Sequence, residues 1–207
     1  GENWATGDTY LAGVGQGYVL ATPVQVMNAF STIVNGGKHM QLSMIGKTVD
    51  ADGNVVQSFT PEVLWDITKD PLIHTYEGNN QTSTVKAVEP WVLDLARQGM
   101  QLVTSQEGTA KIEFEGDQNK IAGKTGTAEY CDDWANREGL CIPGSWPSHA
   151  WFAGYAPYDD PEIVVVSFVY NGREGSTVSG PIVRKIIDAY FELKAIDAEL
   201  EGLQAGQ

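Results

Sequence analysis

Apolar positions along this chain follow two rhythms, and the switch between them predicts where helices give way to strands. Val24, Met27, Phe30 (or Ser31) and Val34 recur at helical spacing. Thr22-Pro23 in front supplies a capping hydroxyl and a residue suited to the first helical position, and Gly36-Gly37 stops the run. Residues 40–49 and 55–59 flank Asp50-Ala51-Asp52-Gly53-Asn54, which predicts a β-hairpin closed by an Asp-Gly turn. Thr60-Pro61 predicts a short helix, with loop after it through Pro71 and Gly78-Asn79-Asn80. Pro90 opens a second clear helix with Val92, Leu93, Leu95, Ala96, Met100 and Val103 as its buried stripe, ending near Gly108.

The second half turns to strands. Residues 120–130 read as one, and a loop rich in Asp, Asn, Gly, Pro and Cys runs on to about Ser148. Residues 149–155 and 162–170 read as two more, joined by Pro157-Tyr158-Asp159-Asp160-Pro161. Ile163-Val164-Val165-Val166 is apolar on both faces and predicts a strand placed centrally in its sheet. Ser179-Gly180-Pro181 starts a closing helix with Ile182, Val183, Ile186, Ile187, Tyr190 and Leu193 on its apolar side; residues 196–207 are polar and predicted to fray. Antiparallel strands with segregated helices make an α+β fold, an antiparallel sheet flanked by helices.

Composition narrows the function. The 207 residues are 42% hydrophobic and carry 13 basic against 27 acidic side chains, a formal charge of -14. That field repels phosphate backbones and argues against nucleic-acid binding. No apolar run approaches the ~20 residues a membrane span needs. Because the sequence opens on Gly1-Glu2 rather than Met, a processed or cut piece is expected, with any anchor upstream. Cys131 and Cys141 fit a disulfide or two separate thiols; a zinc site with Asp132, Asp133 or His149 has the right ligand types, but the spacing matches no zinc motif. No metal and no cofactor is expected.

The sharpest chemical signal is Gly123-Lys124-Thr125-Gly126-Thr127-Ala128 on a predicted strand. Lys124 offers a fixed positive charge, and the hydroxyls of Thr125 and Thr127 can donate hydrogen bonds to an anion beside it. Gly126 lets another backbone lie close, and the Thr127 N–H can serve as an oxyanion donor. Other candidates are weaker. His39, His74 and His149 lack a serine partner, and Glu113 and Glu115 around Phe114 read as an exposed strand edge. Trp134 and Trp146 follow the Lys-Thr-Gly strand, either as a lip over a cleft or as packing for their loop.

A Lys-Thr-Gly triplet in this setting resembles one of the motifs of penicillin-binding proteins and related β-lactamases. Gly13-Val14-Gly15-Gln16-Gly17-Tyr18, Ala21-Thr22-Pro23-Val24-Gln25, Asn35-Gly36-Gly37, Glu107-Gly108-Thr109-Ala110, residues 149–157 and Ser179-Gly180-Pro181-Ile182 resemble class B penicillin-binding proteins in the same order. The wording of residues 4–16 resembles the elongation type, penicillin-binding protein 2. The resemblance implies that residues 1–207 are a partial transpeptidase domain, its C-terminal half. It implies a parent that cross-links peptidoglycan stem peptides ending in D-Ala-D-Ala through a serine acyl-enzyme. β-Lactams would acylate the same serine, cell-wall elongation proteins would be its partners, and it would work at the extracytoplasmic face of the bacterial membrane. Lys124 and Thr127 are then the catalytic residues, and Thr125, Gly126 and Thr127 the substrate-binding ones. The family's Ser-x-x-Lys and Ser-x-Asn motifs belong upstream. No Ser-x-Asn occurs here, and Ser83-Thr84-Val85-Lys86, which fits Ser-x-x-Lys, sits on the wrong side of the Gly-Gln-Gly stretch. The chain alone is therefore expected to be inert. Rival expectations are a non-catalytic binding or scaffold module on a degenerate transpeptidase fold, and a β-lactamase or β-lactam sensor.

Overall fold

The computed structural model describes residues 4–71, 73–77 and 82–205. It divides into two compact units, residues 28–97 and residues 1–27 with 98–207.

Helix α2 (Pro23–Val34), which belongs to the first of these from Asn28 onward, begins where the sequence predicts. Thr22 Oγ1 accepts from the Gln25 N–H at 3.3 Å while Gln25 Oε1 accepts from the Thr22 N–H at 2.8 Å, so cap and third residue satisfy each other. His39 lies between Asn28 Nδ2 (3.1 Å) and Thr32 Oγ1 (2.9 Å) and stacks on Trp65 at 4.0 Å. It is a structural histidine. The predicted hairpin is only partly as expected. β2 (Lys47–Val49) and β3 (Val55–Ser58) pair across the Asp50 turn, where Gly53 has φ 88° and Asp50 Oδ1 accepts from the Asp52 and Asn54 N–H groups. The start of the first arm instead forms β1 (Lys38–Met40) and pairs with β4 (Val63–Asp66), which replaces the short helix predicted from Thr60-Pro61. Pairing with β1 overrides the weak helix-start signal there. Past Pro71, the expected loop is an antiparallel pair, β5 (Ile73–Glu77) with β6 (Thr82–Lys86); Gly78-Asn79-Asn80 lies outside the described residues. α3 (Pro90–Val103), which belongs to this unit as far as Arg97, buries Leu93 and Met100 but leaves Val92 and Leu95 exposed, so its stripe is narrower than the sequence predicts.

The other unit holds the sheet, in the order β7-β8-β9: β7 (Ala122–Glu129), β8 (Ser148–Ala156) and β9 (Ile163–Val169), all antiparallel. α5 (Gly180–Ala205) crosses one face. Val183 and Ile187, both fully buried, meet Phe152, Ala156 and Val165 of the sheet, and Phe114 stacks on Phe152 at 5.1 Å. The central strand is β8, not β9. Among the described residues β9 pairs on one side only. Its apolar residues on both faces report how its faces are covered, not how its edges are paired. Residues 111–116 form turns rather than a strand edge; Phe114 is buried, and Arg184 Nη1 donates to the carbonyls of Glu113 (2.6 Å) and Glu115 (3.0 Å). α5 also runs on to Ala205, through the tail predicted to fray. The helix α1 (Thr6–Gly13) has no buried residue, so no apolar periodicity announced it.

Candidate active site

β7 presents the Lys-Thr-Gly segment at the outer side of the sheet. Strand alternation places Thr125 and Thr127 on one face and Lys124 and Gly126 on the other. The N–H and C=O of one extended residue point the same way, which identifies the residues facing outward. Thr127 O accepts from Gln16 Nε2 (3.0 Å) and Thr125 O from Lys124 Nζ (2.8 Å), while Ile121 O accepts from Thr104 Oγ1 (2.7 Å). The outer edge of β7 is therefore formed by residues 121, 125 and 127, and the Thr125 and Thr127 N–H groups point out beside their carbonyls. Lys124 is exposed. Its ammonium folds over this edge to the Thr125 carbonyl and forms no ion pair among the described residues. Ammonium, two hydroxyls and two outward N–H groups thus line one ridge.

Close packing holds the ridge in place. Gly126 lies opposite Trp151 of β8, and a Cβ on Gly126 would come to 3.0 Å from the Trp151 Cβ. Behind it lies the π-helical turn Gly175–Ser179. A Cβ on Gly175 would meet Gly126 O at 2.3 Å and Trp151 O at 2.4 Å. Ser179 Oγ anchors the turn by donating to Ala150 O at 2.9 Å. Thr127 Oγ1 accepts from the Gly175 N–H and donates to Glu174 Oε1, each at 3.4 Å, and Thr125 Oγ1 lies 3.3 Å from Thr109 Oγ1. Gln16, Thr109, Glu174 and Gly175 received no role from sequence reasoning. Their only signal was indirect: Gln16 and Thr109 sit in two of the stretches that carry the resemblance.

Past Glu129 the loop is closed by a Cys131–Cys141 disulfide, which removes those thiols from any zinc site. It frames helix α4 (Asp133–Arg137), capped by Asp132 Oδ1 on the Ala135 N–H at 2.8 Å. That bond and a second from the Tyr170 hydroxyl (2.7 Å) hold the Asp132 carboxyl below the usual carboxylate range, and the same bond pushes the Tyr170 phenol well up. His149 stacks on Tyr130 at 3.8 Å and accepts the Asn171 N–H on Nδ1, and burial holds its pKa below 6.5. Trp134 packs edge-on against Tyr170 at 5.9 Å, so it serves to pin the loop. Trp146 is 39% exposed. Ser83 belongs to β6, opposite Tyr76, in the unit that does not contain β7. It begins no helix.

Comparison with known proteins gives the same family from three directions. Residues 1–188 match the family described as the penicillin binding protein transpeptidase domain. The peptidoglycan D,D-transpeptidase MrdA of Haemophilus influenzae is 31% identical over 201 residues, which cover 95% of this chain and 28% of that protein. The chain thus spans well under a third of that relative's length. Among solved structures, the penicillin G acyl-enzyme complex of penicillin-binding protein A from Mycobacterium tuberculosis is 26% identical with a TM-score of 0.59, covering 87% of this chain and 34% of that one. The complex between penicillin-binding protein PBP2 and MreC from Helicobacter pylori is also 26% identical, with a TM-score of 0.57 over 93% of this chain and 28% of that one.

Proposed function

This chain belongs to the penicillin-binding protein transpeptidase domain family, and from that premise we propose that residues 1–207 are the C-terminal part of the transpeptidase domain of a peptidoglycan D,D-transpeptidase. The parent cross-links stem peptides through a serine acyl-enzyme and is acylated by β-lactams. Its serine lies upstream of this chain, which supplies one wall of the cleft. Lys124 provides positive charge for the substrate's terminal carboxylate and for ordering the upstream serine motifs. The Thr125 and Thr127 hydroxyls hold that carboxylate, and Gly126 admits the peptide backbone against the strand. The outward Thr127 N–H is a donor for the oxyanion, a type of contact worth ~3 kcal/mol of barrier.

The observation that carries the reading is the outer edge of β7. The Lys124 ammonium and the Thr125 and Thr127 N–H groups face outward along it, the two hydroxyls stand on one face of the same strand beside Thr109 and Glu174, and no carboxylate is paired to the lysine among the described residues. An extended peptide ending in a carboxylate is the ligand such an edge fits. Work at the extracytoplasmic face of the membrane and partnership with cell-wall elongation proteins follow from the same reading; the MreC complex of the Helicobacter pylori relative is consistent with it. The test is fluorescent-penicillin labelling of the full-length protein. Lys124→Ala should slow acylation by at least ~100-fold with an unchanged thermal midpoint, and unchanged labelling would end the proposal.

A further inference from the structure

The family match stops at residue 188, but α5 continues to Ala205. Its sheet contacts stop sooner: Phe191 is its last residue packed on the core, and Lys194 reaches back to Glu162. Beyond Phe191 the helix carries Leu193, Ile196, Leu200 and Leu203, exposed by 61%, 46%, 52% and 68%. Their spacing, 193, 196, 200 and 203, is the three-four-three rhythm of a coiled-coil seam, with Leu193 and Leu200 at a and Ile196 and Leu203 at d. A helix end this short is marginal in water without a partner for its apolar stripe.

Charge says what that partner is. Glu192 and Glu199 fall at g and Asp197 at e, and residues 195–205 of the helix carry no basic side chain. A parallel pair of two copies would set Glu192 against Asp197 of the second copy, twice. An antiparallel pair would bring the g-position glutamates together. Both arrangements place like charges at the seam of a chain with formal charge -14. We infer that the end of α5 is a docking strip for an amphipathic helix of another protein, one whose apolar seam is flanked by Lys or Arg. The strip shares no residue with the β7 edge, so this inference does not depend on the transpeptidase reading.

The test uses the full-length protein and two labelled synthetic peptides of about three heptads, both with Leu at a and d. One carries Lys at e and g, the other Glu. Fluorescence anisotropy should show binding of the Lys peptide, weakening as salt rises, and none of the Glu peptide. Leu200→Glu should weaken binding by more than about tenfold. Replacing Glu192, Asp197 and Glu199 together by Lys should reverse the preference. Thermal midpoints of both variants should match the parent, because the strip lies off the core; if Leu200→Glu lowers its midpoint, the charge-reversal variant carries the test. Failure of the Lys peptide to bind, equal binding of both peptides, or a preference that survives charge reversal overturns the inference. So does a dimer of the protein that Leu200→Glu dissolves, which would give the strip to a second copy.

Discussion

Replacing Gly175 by Ala tests how the β7 ridge is held. The added Cβ would lie 2.3 Å from Gly126 O and 2.4 Å from Trp151 O, both backbone atoms of paired strands. Restoring an ordinary contact of ~3.4 Å requires the turn to retreat by about 1 Å. Overpacking of this kind costs ~1–3 kcal/mol. The retreat also stretches the Gly175 N–H bond to Thr127 Oγ1, already 3.4 Å long, which adds a few tenths to ~1 kcal/mol. A total of about 3 kcal/mol corresponds to a fall of roughly 6–12 °C for a chain of this size. Calorimetry of the 207-residue chain reads the stability. Penicillin labelling of the full-length protein reads the ridge, where a shift near 1 Å should slow acylation by up to ~100-fold. The matched control is Gly99→Ala in α3, where a Cβ meets nothing within 4 Å; it should stabilise by ~0.5–1 kcal/mol. A midpoint for Gly175→Ala within about 1 °C of the parent, with labelling intact, would refute the packing argument.

Three further outcomes are expected. Opening the Cys131–Cys141 loop, by reduction or by replacing both cysteines with Ser, should cost about 3 kcal/mol, read by calorimetry; an unchanged midpoint would show that the aromatic packing alone holds the loop. His149 binds its proton less readily in the folded state than its ordinary 6.5, because burial disfavours the cation. Its contribution is therefore complete above pH 6.5 and declines as pH falls from there to below the folded value. Thermal midpoints of the parent should fall with acid across that window more than those of His149→Phe, and parallel curves would count against it. Among the described residues β9 pairs on one side only, so the isolated chain should associate with concentration in sedimentation, insensitively to Leu200→Glu; a monomer throughout would contradict this.

Much of this protein is determined locally, and the sequence by itself is sufficient for those parts. The start of α2 at Thr22-Pro23, the Asp50 turn with its positive-φ Gly53, the start of α3 at Pro90 and the three strand segments of the second half all depend on neighbours a few residues away. The Lys124-to-Thr127 segment was legible as chemistry for the same reason: its residue types and their strand are contiguous. Contacts between distant segments decided the rest. β4 became a strand because β1 offered it a partner, and β8 rather than β9 took the centre of the sheet. Gln16, Glu174 and Gly175 converge on Thr127 from positions 111, 47 and 48 residues away along the chain. The end of α5 joins the two cases. Its heptad rhythm was already present in the sequence, but only the folded chain shows that the apolar stripe faces outward. Periodicity records that a face must be covered; which surface covers it depends on where folding places it.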